Sequence, residues 1–279
     1  MSTSSATQTP LPVSNQPSKP EEPSSQQYNL NLRPNPKLRL QIHDLRHSGS
    51  KSFSTLIPDV SSVLETALAP APPTRTFSPS IPPTRSVTVL LRDIDGVAYT
   101  TGTELDNDHK EIHVALSYVR HCTTLTDPAS EIKGFLTHEL VHCYQHTAPP
   151  DGDNIPRPPG GLIEGIADFV RLKADLAPPH WKKPTSAKER ASNWDQGYQH
   201  TAYFLAWLED VRVGEGAVGL LNDRLLRVGY VGVGGEEFWK GLFGVGVLEL
   251  WEEYGRYLDA PKGGNVGRGN WEDEIVNPE

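Results

Sequence analysis

Apolar and polar residues alternate first over Leu38-Arg39-Leu40-Gln41-Ile42, the period-2 pattern of a strand with one buried face. From Phe53 to Leu68 the spacing changes. Phe53, Leu56, Ile57, Val60, Val63, Leu64 and Leu68 follow a helical period, so one helix is expected there. The stretch 69–85, APAPPTRTFSPSIPPTR, can be neither helix nor central strand, because proline has no backbone donor and clashes with the preceding turn. Ser86 to Leu91 is β-branched and strand-like, Asp95-Gly96 marks a turn, and Val97 to Thr101 is a short strand. Glu111 to Val119 is expected to complete a small sheet, with His113 as an exposed strand residue.

Helices dominate from there on. Asp127 is an N-cap with proline at the first helical position, and the helix should reach about His146. The long segment from Thr147 to Gly161 reads as a loop bordering a cleft. A second helix is expected from Leu162 to Leu176, closed by Pro178-Pro179, with further helices at 194–211, 216–227 and 245–258. Strands first and helices afterwards predict an α+β fold. Residues 1–36 are Ser, Pro and Gln with few large apolar side chains, and cannot bury enough surface to offset their ordering entropy. A disordered tail is expected there and a flexible one at 261–279, with one folded domain at 37–260.

Composition narrows the function classes. Lys plus Arg is 26 against 35 Asp plus Glu, a net charge of −9, which disfavours nucleic-acid and anionic-membrane binding. No apolar run reaches the roughly 18 residues of a membrane-spanning helix. Two cysteines, Cys122 and Cys143, suffice for one bridge or two free thiols, and for no larger framework. The first residues, MSTSSATQTPLPVSNQ, have neither a cationic start nor an apolar segment, so no secretory signal is read and a cytoplasmic location is expected.

The chemistry sits in His138-Glu139-Leu140-Val141-His142. Residues four apart share a helix face, so both imidazoles can hold one metal ion. Glu139 follows the first histidine, where its carboxylate reaches a water and not the metal. This HExxH arrangement supplies two zinc (Zn2+) ligands and a general base. In GLIEGIADF, Glu164 stands 22 positions after His142, and Asp168 lies one helical turn further on. Leu162, Ile163, Ile166, Phe169 and Val170 make that helix otherwise apolar, and two acids within it are costly unless paired or metal-bound. Glu164 is therefore the expected third ligand, and Asp168 the acceptor that fixes a ligand histidine, His138 first, in one tautomer.

Several neighbours have blander roles. Cys143-Tyr144-Gln145 carries no glycine turn, so His146 is not a third histidine ligand and is expected to cap the helix C-terminus. Cys143 faces away from the histidines and reads as core. An oxyanion needs a further donor, and Tyr198 is favoured within Gly197–Tyr203, with His200 and Tyr203 behind it. Trp181, Trp194 and Trp207 read as packing anchors.

The segments HELVH, PGGLIEGIADFVRLKADLAPPHW and NWDQGYQHTAYFLAWLE together resemble the basic secretory protein family of plant and fungal metallopeptidases. The resemblance covers about residues 38–258, and the Glu-then-Asp spacing is similar to that of gluzincins. It implies a zincin-like fold, a zinc-dependent active site, peptide or protein substrates, and secretion with a role in defence. It also implies that substrate adds as a strand along a sheet edge, expected at Glu111 to Leu116 just before the zinc helix. Two readings follow. The first is a zinc peptidase, endo- or aminopeptidase-like, with Glu139 as general base; the second is a catalytically silent zinc-containing binding or defence protein on the same fold.

Overall fold

The architecture is described from a computed structural model, over residues 36–68 and 84–261. The tails and most of the proline-rich stretch lie outside these residues. Four strands form one sheet in the order β1-β2-β4-β3: β1 (Lys37–Ile42), β2 (Ser86–Arg92), β3 (Ala98–Thr103) and β4 (Asp106–Ala115). β1, β2 and β4 run parallel, and β3 folds back antiparallel on β4. This corrects the expected edge. β4 lies between β2 and β3, so the edge beside the metal helix is β3.

The sheet has one strongly apolar face. Val87, Val89, Leu91, Ile112 and Val114 are fully buried on it, as strict alternation requires. His113 belongs to the other face and is 5% exposed, against the expectation of an exposed residue. It stacks on Tyr99 of β3 at 4.5 Å, and its Nδ1 and Nε2 meet Arg92 and Glu111. Cross-strand stacking and two polar partners account for its burial.

Two helices, α1 (Ser48–Leu56) and α2 (Val60–Leu68), replace the single one expected over 53–68. Pro58 lacks the N–H that would continue the ladder, and the chain breaks there. α3 (Leu116–Cys122) takes the place of the strand's end expected over 116–119; Leu116, Val119 and Cys122, three apart and fully buried, show its helical period.

α4 (Pro128–His142) starts as expected, with the Ser130 N–H donating to the Asp127 side chain at 3.0 Å. It ends at His142, not His146, so His146 lies beyond the helix. Then come α5 (Gly160–Lys173), α6 (Tyr198–Trp207) continuing as a π-helical turn over Leu208–Val213, and α7 (Ala217–Arg227). α8 (Glu236–Phe243), which the glycines at 232–235 conceal in the sequence, and α9 (Val247–Asp259) are the last elements among the described residues. No helix among the described residues is long and apolar enough to cross a membrane.

Apolar side chains gather into two clusters. One unites the sheet with α1 to α4, including Ile132, Leu136, Leu140 and Cys143. The other unites α5 to α9 around Phe169, Phe204, Trp239 and Tyr254, and includes Trp194 and Trp207. α4 and α5 meet where the clusters adjoin, running antiparallel through a series of polar rungs. Arg171 donates to Glu131 at 2.9 Å, His138 bonds Asp168 at 2.6 Å, and Gln145 donates to the Ile163 carbonyl at 2.7 Å. Gly134 leaves the room the Arg171 guanidinium occupies. The expected site sits in the middle of this seam.

Candidate metal centre

Helical spacing alone brings His138 and His142 to one face of α4, and their Nε2 atoms lie 3.0 Å apart. α5 supplies the third group. Glu164 Oε2 is 3.1 Å from His138 Nε2, and Oε1 is 3.8 Å from His142 Nε2. Two atoms each about 2.0–2.1 Å from a tetrahedral ion lie about 3.3 Å apart, so these separations suit a single small divalent cation. Among the described residues this is the one group of three or more His, Cys, Asp or Glu that could hold a metal ion.

The outer hydrogen bonds fix which nitrogen faces inward. His138 Nδ1 donates to Asp168, which is 2% exposed, leaving Nε2 towards Glu164. Gln145 Nε2 donates to a backbone carbonyl, which can only accept, so its Oε1 must face His142 and accept from Nδ1. With Nδ1 as donor on both rings, two neutral imidazoles and a carboxylate aim three acceptors at one point. Such a set repels itself unless a cation sits between its members.

The charge balance agrees. Burial opposes a charge on His138, but hydrogen bonds to Asp168 and Glu164 outweigh it and lift the pKa to about 9. Bonds to His138 and His142 hold the Glu164 carboxyl down at about 2. In the absence of metal, the site is built to keep a proton as its cation.

Glu139 is 6% exposed and makes no part of the triad. Thr100, on β3, lies 2.7 Å from its Oε2. Tyr198 is 59% exposed at the start of α6, and Glu164 is the first cause of its raised pKa, ahead of burial, Asp168 and Glu139. Its φ of 47° is rare for a residue with a bulky side chain and costs about 1–3 kcal/mol. The turn before it is pinned from within: the Thr201 hydroxyl donates to the Trp194 carbonyl at 2.8 Å and accepts from the Gly197 N–H at 3.0 Å. Gly161 and Gly165 flank Glu164 on α5, and a Cβ at either would collide with the Asp195 carbonyl or with Thr201. The glycines of the GLIEG segment thus let the Tyr198 turn approach the Glu164 helix. Tyr203 is buried against Trp181, at 6.3 Å between ring centroids.

A family model described as "Peptidase of plants and bacteria" (BSP) matches residues 35–254. The chain belongs to this family. Comparison with curated proteins and with solved structures gave no match. The BSP match spans the first core cluster, all of the second but Leu258, and every candidate site residue singled out from the sequence.

Two residues beside the site of this BSP chain are not among those its motifs point to. Thr100 lies 39 positions before Glu139 and reaches it only through the packing of β3 on α4, so no local pattern marks it. Gln145 had a signal: it stands three after His142, within reach of a ring at the helix end.

Proposed function

We propose that this chain is a zinc-dependent peptidase of zincin-like build, acting on extended peptide segments, with its catalytic domain at residues 37–260. His138, His142 and Glu164 are the metal ligands, Glu139 the general base, Asp168 the orienter of His138, and Tyr198 the donor to the developing oxyanion. One observation carries this reading: three acceptor atoms from two helices converge within 4.8 Å of one another, beside a separately held glutamate.

Zinc bound here would supply Lewis acidity, lowering the pKa of a water and polarising the scissile carbonyl. Glu139, held on one oxygen by Thr100, keeps the other free to take the proton of the attacking water and to pass it to the departing amine. Tyr198 stands exposed beside Glu164, where its hydroxyl can donate to a substrate oxygen that gains charge. Among the described residues β3 is the edge strand next to α4, so an extended peptide would pair with β3 and not with β4.

Metal analysis together with peptide-library cleavage by wild type and Glu139→Gln tests the reading. About one zinc per chain is expected in both proteins, with cleavage by the wild type alone. Equal cleavage by the two removes Glu139 from its role. Zinc in both with no cleavage by either favours the catalytically silent binding protein. Glu164→Ala should lose zinc, and unchanged retention rejects it as a ligand.

A further inference from the structure

α4 ends at His142, and two short-range backbone bonds continue beyond it, from the Cys143 N–H to the Leu140 carbonyl at 3.1 Å and from the Tyr144 N–H to the Val141 carbonyl at 2.9 Å. Even so, Gln145 is held in a defined place. Its Oε1 accepts a short hydrogen bond from His142 Nδ1, while its Nε2 donates across the helix gap to Ile163, the residue next to Glu164. The backbone on both sides of it is held by one side chain. Asn222, on α7, accepts from the His146 N–H at 2.8 Å and donates to the Tyr144 carbonyl at 3.1 Å. A side-chain amide that pairs with both flanking residues fixes the direction in which the intervening Cα–Cβ bond leaves the backbone, and the bonds to His142 and Ile163 then fix the rest of the Gln145 side chain.

We propose that Gln145, fixed by this two-bond grip of Asn222, is the positioning residue that sets the His142 ring and couples it to the Glu164 helix. The proposal rests on the metal reading above but concerns residues outside the ligand set. His138 has a carboxylate, Asp168, from α5 for the same task. His142 has a neutral amide that spans both helices, so the spacing of the ligands and the tautomer of the ring are set by one group. A carboxylate at 145 would still accept from His142, yet could not donate to Ile163.

Two readouts on the full chain test this. The first is the rate at which zinc passes to a chelator; the second is the His142 tautomer in metal-free protein, read from imidazole nitrogen shifts where the ring is neutral. Gln145→Met should release zinc about 10- to 100-fold faster, as loss of an outer partner does, and should lose the preference for protonated Nδ1. Gln145→Glu should keep that preference. A Gln145→Met variant in which either readout matches wild type overturns the proposal. If the wild type holds no zinc, the metal reading fails, and the tautomer comparison alone decides the role of Gln145. Asn222→Leu should also speed release, and combining it with Gln145→Met should add nothing, because both act through one path. Additive effects would overturn the part assigned to Asn222. If the leucine variant does not fold, Asn222→Asp takes its place, since it keeps the acceptor for His146 and loses the donor to Tyr144.

Discussion

The Thr100 hydroxyl, on the edge strand, lies 2.7 Å from Oε2 of Glu139 and 2.9 Å from the carbonyl oxygen of the same residue. It thereby ties the strand beside the metal helix to the proposed base. A bond to an ionised group is worth about 1.5–3 kcal/mol, and its value here lies in orientation. Thr100→Val should lower kcat about 10- to 100-fold with little change in KM, and Thr100→Ser should restore most of it. Steady-state kinetics on a cleaved peptide decide this; a valine variant with wild-type kcat would show that the base needs no such tether.

Gly160 and Gly161 are adjacent in sequence and opposite in consequence. A Cβ at Gly160 meets nothing within 4 Å, whereas one at Gly161 runs into the Asp195 carbonyl in the turn before Tyr198. Gly160→Ala should be neutral or stabilising by up to about 1 kcal/mol, through the reduced freedom of the unfolded chain. Gly161→Ala should cost about 1–3 kcal/mol, because rigid backbone must move. Urea denaturation separates the two. Equal midpoints would mean that α5 and the turn before Tyr198 are not in the close contact described.

How much of this could be read from the chain follows from the range of each signal. HELVH and GLIEGIAD are local patterns, and helical geometry alone assigns their faces. Their convergence depends on α4 and α5 lying antiparallel, which the Glu131–Arg171 and His138–Asp168 rungs enforce but no short motif announces. The sheet edge was misplaced for the same reason. That β3 lies outside β4, and β2 inside it, is decided by long-range pairing such as Val89 with Ile112. The start of α3, Leu116 to Val119, belongs to a short apolar run that suits either period.

Cys122 and Cys143 are both free and almost fully buried. Burial pushes each thiol up to about 12, so neither holds a thiolate near neutral pH. Neither should react with a thiol reagent in the native protein, and both should react after unfolding, with no change in melting temperature on adding a reductant. Rapid native labelling of Cys143 would place it at the surface, against its place in the buried cluster that holds Leu140 and Phe135.

The proton that the metal-free site retains gives stability a pH signature. His138 is raised to about 9 in the fold from 6.5, so the folded state binds the proton more tightly than the unfolded chain. Its contribution is complete below about 6.5 and is lost as pH rises through about 9. Glu164 works at the other end: lowered from 4.5 to about 2, it stabilises above about 4.5 and loses that effect as pH falls towards 2. The melting temperature of chelator-treated protein should therefore fall between pH 6.5 and 9, a slope that His138→Gln should remove. A metal ion displaces the same proton, so stabilisation by zinc should grow with pH over that interval. Were the metal-free melting temperature flat there, with the same profile in His138→Gln, the hydrogen bonds from His138 to Asp168 and Glu164 would not be holding a charged ring, and the converging acceptors would need another explanation.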